Sequence, residues 1–142
     1  MSQKIVAVSL YGNPLHSGHV SCLEAAAKLG DVLVVIVNND HQAKIKKPNE
    51  PIFMREDERL RVIRALRCVS HAIISSDTDG TVRETLKQIR PHVFANGGDR
   101  VVGNVPEADV CADIGCNMVY GVGNAKTQSS SQLIANIRRS EF

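Results

Sequence analysis

Five short apolar runs recur along the chain, and a segment whose apolar residues have helical spacing follows each of them. The runs lie at residues 4–9, 31–37, 68–74, 92–95 and 116–122. Short runs rich in β-branched residues are typical of strands in a parallel sheet, because helices cover both faces of such a sheet. The alternation therefore predicts an α/β fold, a Rossmann-like, doubly wound, five-stranded parallel sheet with helices on both faces.

The length of the chain, 142 residues, is enough to bury a core without disulfides or a structural metal. No internal repeat, low-complexity segment or linker divides the sequence, so we expect one domain over residues 1–142. No apolar stretch approaches the ~20 residues that a membrane span needs, and the N-terminus does not resemble a signal peptide. We therefore expect no membrane association and a cytoplasmic location.

Charge and composition argue against a protein that binds nucleic acid. The net charge is only +2 and aromatic residues make up 4% of the chain, so there is neither a basic surface nor a platform for stacking bases. The cysteines contain no Cys-x-x-Cys pair, and we interpret them as reduced, mostly buried side chains rather than as zinc ligands or a disulfide framework. They are Cys22, Cys68, Cys111 and Cys116.

The stretch over residues 10–19 joins the first predicted strand to the first predicted helix and reads Leu-Tyr-Gly-Asn-Pro-Leu-His-Ser-Gly-His. The first turn of a helix presents unpaired N–H groups and the positive end of the helix dipole, which favour a bound anion. His16 and His19 would share one face there, and Gly18 would let a ligand approach the backbone. The stretch predicts a phosphate site. The alternative is that one histidine caps the helix while the other packs against a loop.

A basic segment follows the second predicted strand. Residues 44–51, punctuated by two prolines, predict a loop in which one of Lys44, Lys46 and Lys47 meets a phosphate. The alternative is a solvated lysine face. Farther along, Thr81 is expected to cap a helix, with Glu84 completing a capping box.

Two further segments are expected at the same sheet edge, because the carboxyl ends of parallel strands meet there. Gly97 and Gly98 would allow close backbone approach after the fourth strand, and Asp99 would contact polar ligand groups. A cluster of three serines at the start of the last helix would offer hydroxyls and backbone N–H groups to a second phosphate. The cluster consists of Ser129, Ser130 and Ser131.

The tetrapeptide over residues 16–19 resembles the His-x-Gly-His signature of the nucleotidyltransferase superfamily, and Asn13-Pro14 is similar to the lead-in of several members. The serine cluster with Ile134 resembles a C-terminal element of the superfamily. Residues 97–99 resemble the Gly-x-Asp stretch of its cytidylyltransferase-like members. Arg59 falls where many such members have a Glu-Arg pair. The resemblance covers nearly the whole chain and is greatest to cytidylyltransferases of the glycerol-3-phosphate and phosphonate type.

The resemblance implies that a phosphate or phosphonate oxygen of a small acceptor attacks the α-phosphorus of a nucleoside triphosphate and releases pyrophosphate. It implies that catalytic side chains hold and neutralise the phosphates, with Mg²⁺ bridging the triphosphate oxygens and with no metal ligand from the protein. These catalytic residues are His16, His19, Lys46 and Ser130. The residues implied for nucleotide binding are Tyr11, Gly12, Asn13, Gly18, Lys44, Arg59, Gly97, Asp99, Lys126, Ser129 and Ser131. The resemblance also implies a homodimer.

The nucleotide is open at this point. The chain length, the basic segment and residues 97–99 favour CTP, whereas Asn-Pro-x-His is similar to adenylyltransferases. The alternatives to a cytidylyltransferase are an ATP-dependent enzyme that acts on a sugar phosphate and a nucleotide-binding regulatory domain without catalysis. Two features depart from the superfamily. Residues 10–13 replace the usual Gly-Thr-Phe-Asp, and Lys126 stands in the region where an arginine often precedes the serines.

Overall fold

The computed structural model describes residues 3–97, 105–123 and 136–137. The strands are β1 (Ile5–Leu10), β2 (Val32–Val37), β3 (His71–Ile74), β4 (Val93–Gly97) and β5 (Asn117–Val122). The helices are α1 (Ser17–Ala27), α2 (Asp40–Lys46), α3 (Glu56–Arg64), α4 (Arg83–Ile89) and α5 (Ala108–Asp113). The strands form one five-stranded parallel sheet, which confirms the predicted fold class.

Helices cover both faces of this sheet. On one face, Leu23 of α1 and Ile63 of α3 pack with Val6 of β1 in one buried cluster. On the other face, Leu86 of α4 and Val110 of α5 pack in a second cluster. Successive residues of a strand point to opposite faces, so a strand covered on both sides is apolar at every position. This explains why the strands are continuous apolar runs in the sequence.

The strand order is β3-β2-β1-β4-β5. From β1 the chain builds outward through β2 to β3, and then returns to the other side of β1 with β4. In sheets of this kind the reversal leaves a crevice at the carboxyl ends of the two central strands, where ligands bind. The loop that contains His16 follows β1, and Gly97 ends β4, so both border this crevice.

The loop predicted for residues 44–51 is wrong for Lys44 and Lys46, which lie in the last turn of α2. The helix forms because Asn39 and Gln42 make a capping box. The Oδ1 atom of Asn39 accepts from the Gln42 N–H at 2.8 Å, and the Oε1 atom of Gln42 accepts from the Asn39 N–H at 3.1 Å. Asn38, which precedes the cap, adds a further hydrogen bond to Gln42.

The capping box predicted for α4 is also wrong. The helix is capped by Asp77, whose carboxylate accepts from the backbone N–H groups of Glu84 and Thr85 at 2.7 and 3.0 Å. A carboxylate is favoured there because it meets unpaired N–H groups at the positive end of the helix. Thr81 instead hydrogen bonds to Asp79.

The cysteines carry free thiols; Cys111 and Cys116 are buried, whereas Cys22 and Cys68 are partly exposed. Within the described ranges, no helix combines the length and the apolar character that crossing a membrane requires.

Candidate nucleotide site

The two histidines of the site cap helix α1 together. His16 is the N-cap residue, with an extended backbone, and its Nδ1 atom accepts from the Gly18 N–H at 3.1 Å. The Nδ1 atom of His19 accepts from the His16 N–H, also at 3.1 Å. The ring centroids are 3.9 Å apart. Capping, the alternative role considered for one histidine, therefore applies to both.

These hydrogen bonds fix the tautomer of each neutral ring. A ring nitrogen that accepts a hydrogen bond carries no proton, so the ring proton of His16 and of His19 is on Nε2. Nε2 lies on the far side of each ring from the backbone that Nδ1 binds. Capping thus uses Nδ1 of both rings and brings their centroids within 3.9 Å of each other at the positive end of α1, where an anion is favoured.

The loop before the histidines is a sharp turn. Gly12 is buried and has φ = +64°, a left-handed conformation in which a side chain would be strained. A Cβ atom there would lie 3.2 Å from Leu10 Cδ1. The Oδ1 atom of Asn13 accepts from the Met54 N–H at 2.8 Å, and the Asn13–Pro14 peptide bond is cis. The unusual residues at 10–13 therefore form a turn that depends on Gly12, and Asn13 hydrogen bonds this turn to the segment before α3.

The structure separates the two candidate lysines. The Nζ atom of Lys46 lies 4.4 Å from the centroid of the Tyr11 ring, within range of a cation–π interaction. Tyr11 belongs to the segment between β1 and α1, residues 11–16, which we call the histidine loop. Lys44 instead donates from Nζ to the Glu50 carbonyl at 3.3 Å. Of the two, Lys46 is the one that the structure brings to the loop of the histidines.

Arg59 lies beneath this loop with no exposed side-chain surface. It donates to the carbonyls of Tyr11 and Asn38 and to the carboxylate of Asp40, in each case at 2.7 Å. Its assignment as a nucleotide contact stays a prediction, because in this structure it binds protein groups. Asp40, the first residue of α2, was not a candidate in the sequence. Its signal was its place in the Asn38-Asn39-Asp40 run after β2, a composition typical of turns and helix caps.

Gly97 has a packing role that the sequence did not reveal. A Cβ atom at Gly97 would lie 2.8 Å from Cys22 Sγ of α1 and 2.8 Å from the Val122 carbonyl. Gly123 has φ = +93°, and a Cβ there would lie 2.9 Å from Cys22 Cα. Both glycines thus allow α1 to approach the ends of β4 and β5 closely. Burial raises the pKa of the Cys22 thiol in this contact. The ligand role of Gly97 stays a prediction.

Several candidates lie outside the described residues, and their roles also stay predictions. They are Asp99, Lys126, Ser129, Ser130 and Ser131. In the described part of the chain, no group of three His, Cys, Asp or Glu side chains could hold a metal ion.

A family model described as Cytidylyltransferase-like matches residues 13–120. The chain is 33% identical over 141 residues to the bifunctional protein HldE of Pseudomonas fluorescens (strain Pf0-1), covering 99% of this chain and 29% of that protein. It is 41% identical over 105 residues to the bifunctional protein HldE of Streptomyces coelicolor, covering 71% of this chain and 21% of that protein. The chain thus spans less than a third of the length of these relatives.

Two solved structures share the fold. A lipopolysaccharide core biosynthesis protein from Thermoplasma volcanium GSS1 is 25% identical with a TM-score of 0.70, over 87% of this chain and 99% of that one. Pantoate-beta-alanine ligase from Francisella tularensis, solved with beta-gamma ATP and beta-alanine, is 16% identical with a TM-score of 0.63, over 98% of this chain and 72% of that one. The second likeness concerns the fold alone.

Proposed function

Because the chain belongs to the cytidylyltransferase-like family of nucleotidyltransferases, we propose that it transfers a nucleotidyl group from ATP to a phosphorylated sugar and releases pyrophosphate. The observation that carries this proposal is the histidine pair. Two imidazoles whose Nδ1 atoms are used in capping lie together at the N-terminus of α1, beside the crevice between β1 and β4, and Nε2 is the nitrogen of each ring that capping does not use.

In the proposed reaction a phosphate oxygen of the acceptor attacks the α-phosphorus of the triphosphate. The new P–O bond forms as the bond from the α-phosphorus to the bridging oxygen breaks, and pyrophosphate leaves with that electron pair. His16 and His19 donate hydrogen bonds to the phosphate oxygens as charge moves onto them, and Lys46 adds a positive charge. Loss of one such donor typically lowers the rate by about 10²–10³.

The sugar phosphate is supported by the likeness to the lipopolysaccharide core biosynthesis protein, nearly all of which the match covers. Lipopolysaccharide core is built from sugars, and a nucleotidyltransferase activates a sugar through its phosphate. The relatives called bifunctional are more than three times as long as the matched region, so this chain corresponds to one part of such a protein.

Two observations support ATP rather than CTP in this proposal. One of the features that favoured CTP was a basic loop, and Lys44 and Lys46 lie instead on α2. The feature similar to adenylyltransferases, Asn13-Pro14-x-His16, is retained, with Asn13 fixed by Met54. CTP is the second candidate, favoured by the description of the family and by the resemblance at residues 97–99. We also propose that Mg²⁺ accompanies the triphosphate and that the chain forms a homodimer.

The proposal is tested by a pyrophosphate-release assay in which ATP, CTP, GTP and UTP are each combined with sugar phosphates, polyol phosphates and phosphonates. We expect release with ATP and a sugar phosphate, and its loss in His19→Ala. His71→Ala is the matched control, since His71 is exposed at the start of β3, at the opposite edge of the sheet. Release with CTP alone would replace ATP in the proposal. Nucleotide binding without release for any acceptor would favour the regulatory domain.

A further inference from the structure

Arg59 is the largest fully buried side chain of the described residues, and it is charged. A buried guanidinium is costly unless its donors and its charge are satisfied. The Nε atom donates to the Met54 carbonyl at 2.9 Å, and Nη1 donates to the Tyr11 and Asn38 carbonyls. The charge is compensated by Asp40, whose carboxylate lies 2.7 Å from Nη2.

The acceptors of Arg59 belong to segments that are far apart in the chain and adjacent at the site. Tyr11 starts the loop that leads to the histidines. Asn38 follows the end of β2, and Asp40 begins α2, the helix that ends at Lys46. One side chain of α3 therefore connects the carboxyl ends of two neighbouring strands with the helix that carries the lysine of the site.

Met54 connects Arg59 to the histidine loop a second time. Its carbonyl accepts from Arg59, while its N–H donates to Asn13 Oδ1, three residues before His16. The histidine loop is thus held at Tyr11 by Arg59 and at Asn13 by Met54. A lysine could not replace these contacts, because an ammonium on a flexible stem cannot reach acceptors on several sides with fixed geometry, as a planar guanidinium does.

We propose that Arg59 is a positioning residue that fixes the histidine loop relative to helix α2, so that His16, His19 and Lys46 act on the same phosphate groups. It does so from beneath the site, through the hydrogen bonds of its buried guanidinium to backbone carbonyls and Asp40. The inference rests on the proposed nucleotidyl transfer for its kinetic readout.

The test compares Arg59→Lys with Arg64→Lys. Arg64 is a suitable control because it lies on the same helix and also donates to a backbone carbonyl, that of Ala72 in β3, away from the histidines. We expect Arg59→Lys to lower kcat by about 10- to 100-fold in protein that remains folded by circular dichroism, since small misplacements of reacting groups have effects of this size. Arg64→Lys should keep the kcat of the unaltered chain. Equal kcat values in the two variants would overturn the proposal.

If Arg59→Lys does not fold, a second variant, Asp40→Asn, tests the same contact. If no transfer is observed, a spectroscopic measurement replaces the kinetic one. Asp40→Asn keeps the shape of the side chain and removes the charge that pairs with Arg59. We expect ¹⁵N NMR of labelled histidines to show altered signals for His16 and His19 in Asp40→Asn, while His71 and His92 are unchanged. Unchanged signals for His16 and His19 would contradict the positioning role. If the unaltered chain shows no transfer while the two signals do shift, the proposed function fails and the positioning of the loop is retained.

Discussion

His19 accepts a hydrogen bond at Nδ1 from the backbone N–H of His16, over 3.1 Å. Helix capping and the proposed phosphate binding therefore use opposite edges of the same imidazole. The two roles are separable, because a substitution can preserve the acceptor of the cap and remove the donor at Nε2.

His16→Asn is designed to make this separation. Asparagine is among the best N-cap residues, and its Oδ1 atom can replace Nδ1 as acceptor for the Gly18 N–H. We expect the free energy of unfolding, measured by urea denaturation, to change by less than about 0.5 kcal/mol. Pyrophosphate release should fall by about 10²–10³.

His16→Ala is the companion variant. It removes the cap as well and should cost about 0.5–2 kcal/mol of stability, with a similar loss of activity. Global unfolding of this variant at room temperature, or full activity in His16→Asn, would assign the ring a structural role only.

Lys46→Met should lower kcat/KM for the nucleotide more than Lys44→Met does. Lys46 lies against the Tyr11 ring beside the histidine loop, whereas Lys44 is directed to the Glu50 carbonyl. Methionine keeps most of the apolar stem and removes the charge. Steady-state kinetics of the two variants, at equal ionic strength, measure the difference. Equal losses would show that the ammonium acts only through the general positive charge of α2.

Gly97→Ala should destabilise the fold by about 1–3 kcal/mol, the usual cost of forcing extra atoms into a packed site. Its new methyl group would meet both Cys22 Sγ and the Val122 carbonyl at 2.8 Å. Gly80→Ala is the control, since a Cβ there has no atom within 4 Å. Thermal and urea unfolding of the two variants measure the difference in stability. A neutral Gly97→Ala would mean that α1 does not pack against the end of β4 as described.

Cys22 should react slowly with iodoacetamide at neutral pH. Burial raises the pKa of this thiol, and only the thiolate is the nucleophile. The labelling rate should therefore keep rising about tenfold per pH unit beyond pH ~8.5, where a free cysteine begins to level off. Mass spectrometry of the Cys22 peptide, with N-acetylcysteine as reference, gives the rate at each pH. If the labelling rate of Cys22 levelled off at a lower pH than that of N-acetylcysteine, burial would not raise the pKa of the thiol.

The fold and the position of the histidines were predictable because they depend on local pattern. A strand buried on both faces must be apolar throughout, and the change to helical spacing after Gly18 places the junction at His16. Helix α2 was missed because its lysines and the following prolines are typical of a loop. Its signal was local as well, in the spacing of Asn39 and Gln42, which is that of a capping box.

Other features depend on contacts that no local pattern encodes. Asp77 caps α4 from seven residues before Glu84, across a turn. Arg59 reaches Tyr11, which is 48 residues away in sequence, and a charged residue on a helix is ordinarily expected to face solvent or a ligand. The packing role of Gly97 depends in the same way on Cys22 of a distant helix. In each case the partner is defined by the topology.

The contact of Cys22 with Gly97 and Gly123 affects how the histidine tetrapeptide can be compared between related proteins. Helix α1 can lie this close to the sheet because positions 97 and 123 are glycines. Both lie at the ends of strands in the other half of the sheet. A relative could keep every residue of the histidine tetrapeptide and still hold it at a different depth if either position gained a side chain. In comparing such proteins, the tetrapeptide and the two distant glycines should therefore be assessed as one unit.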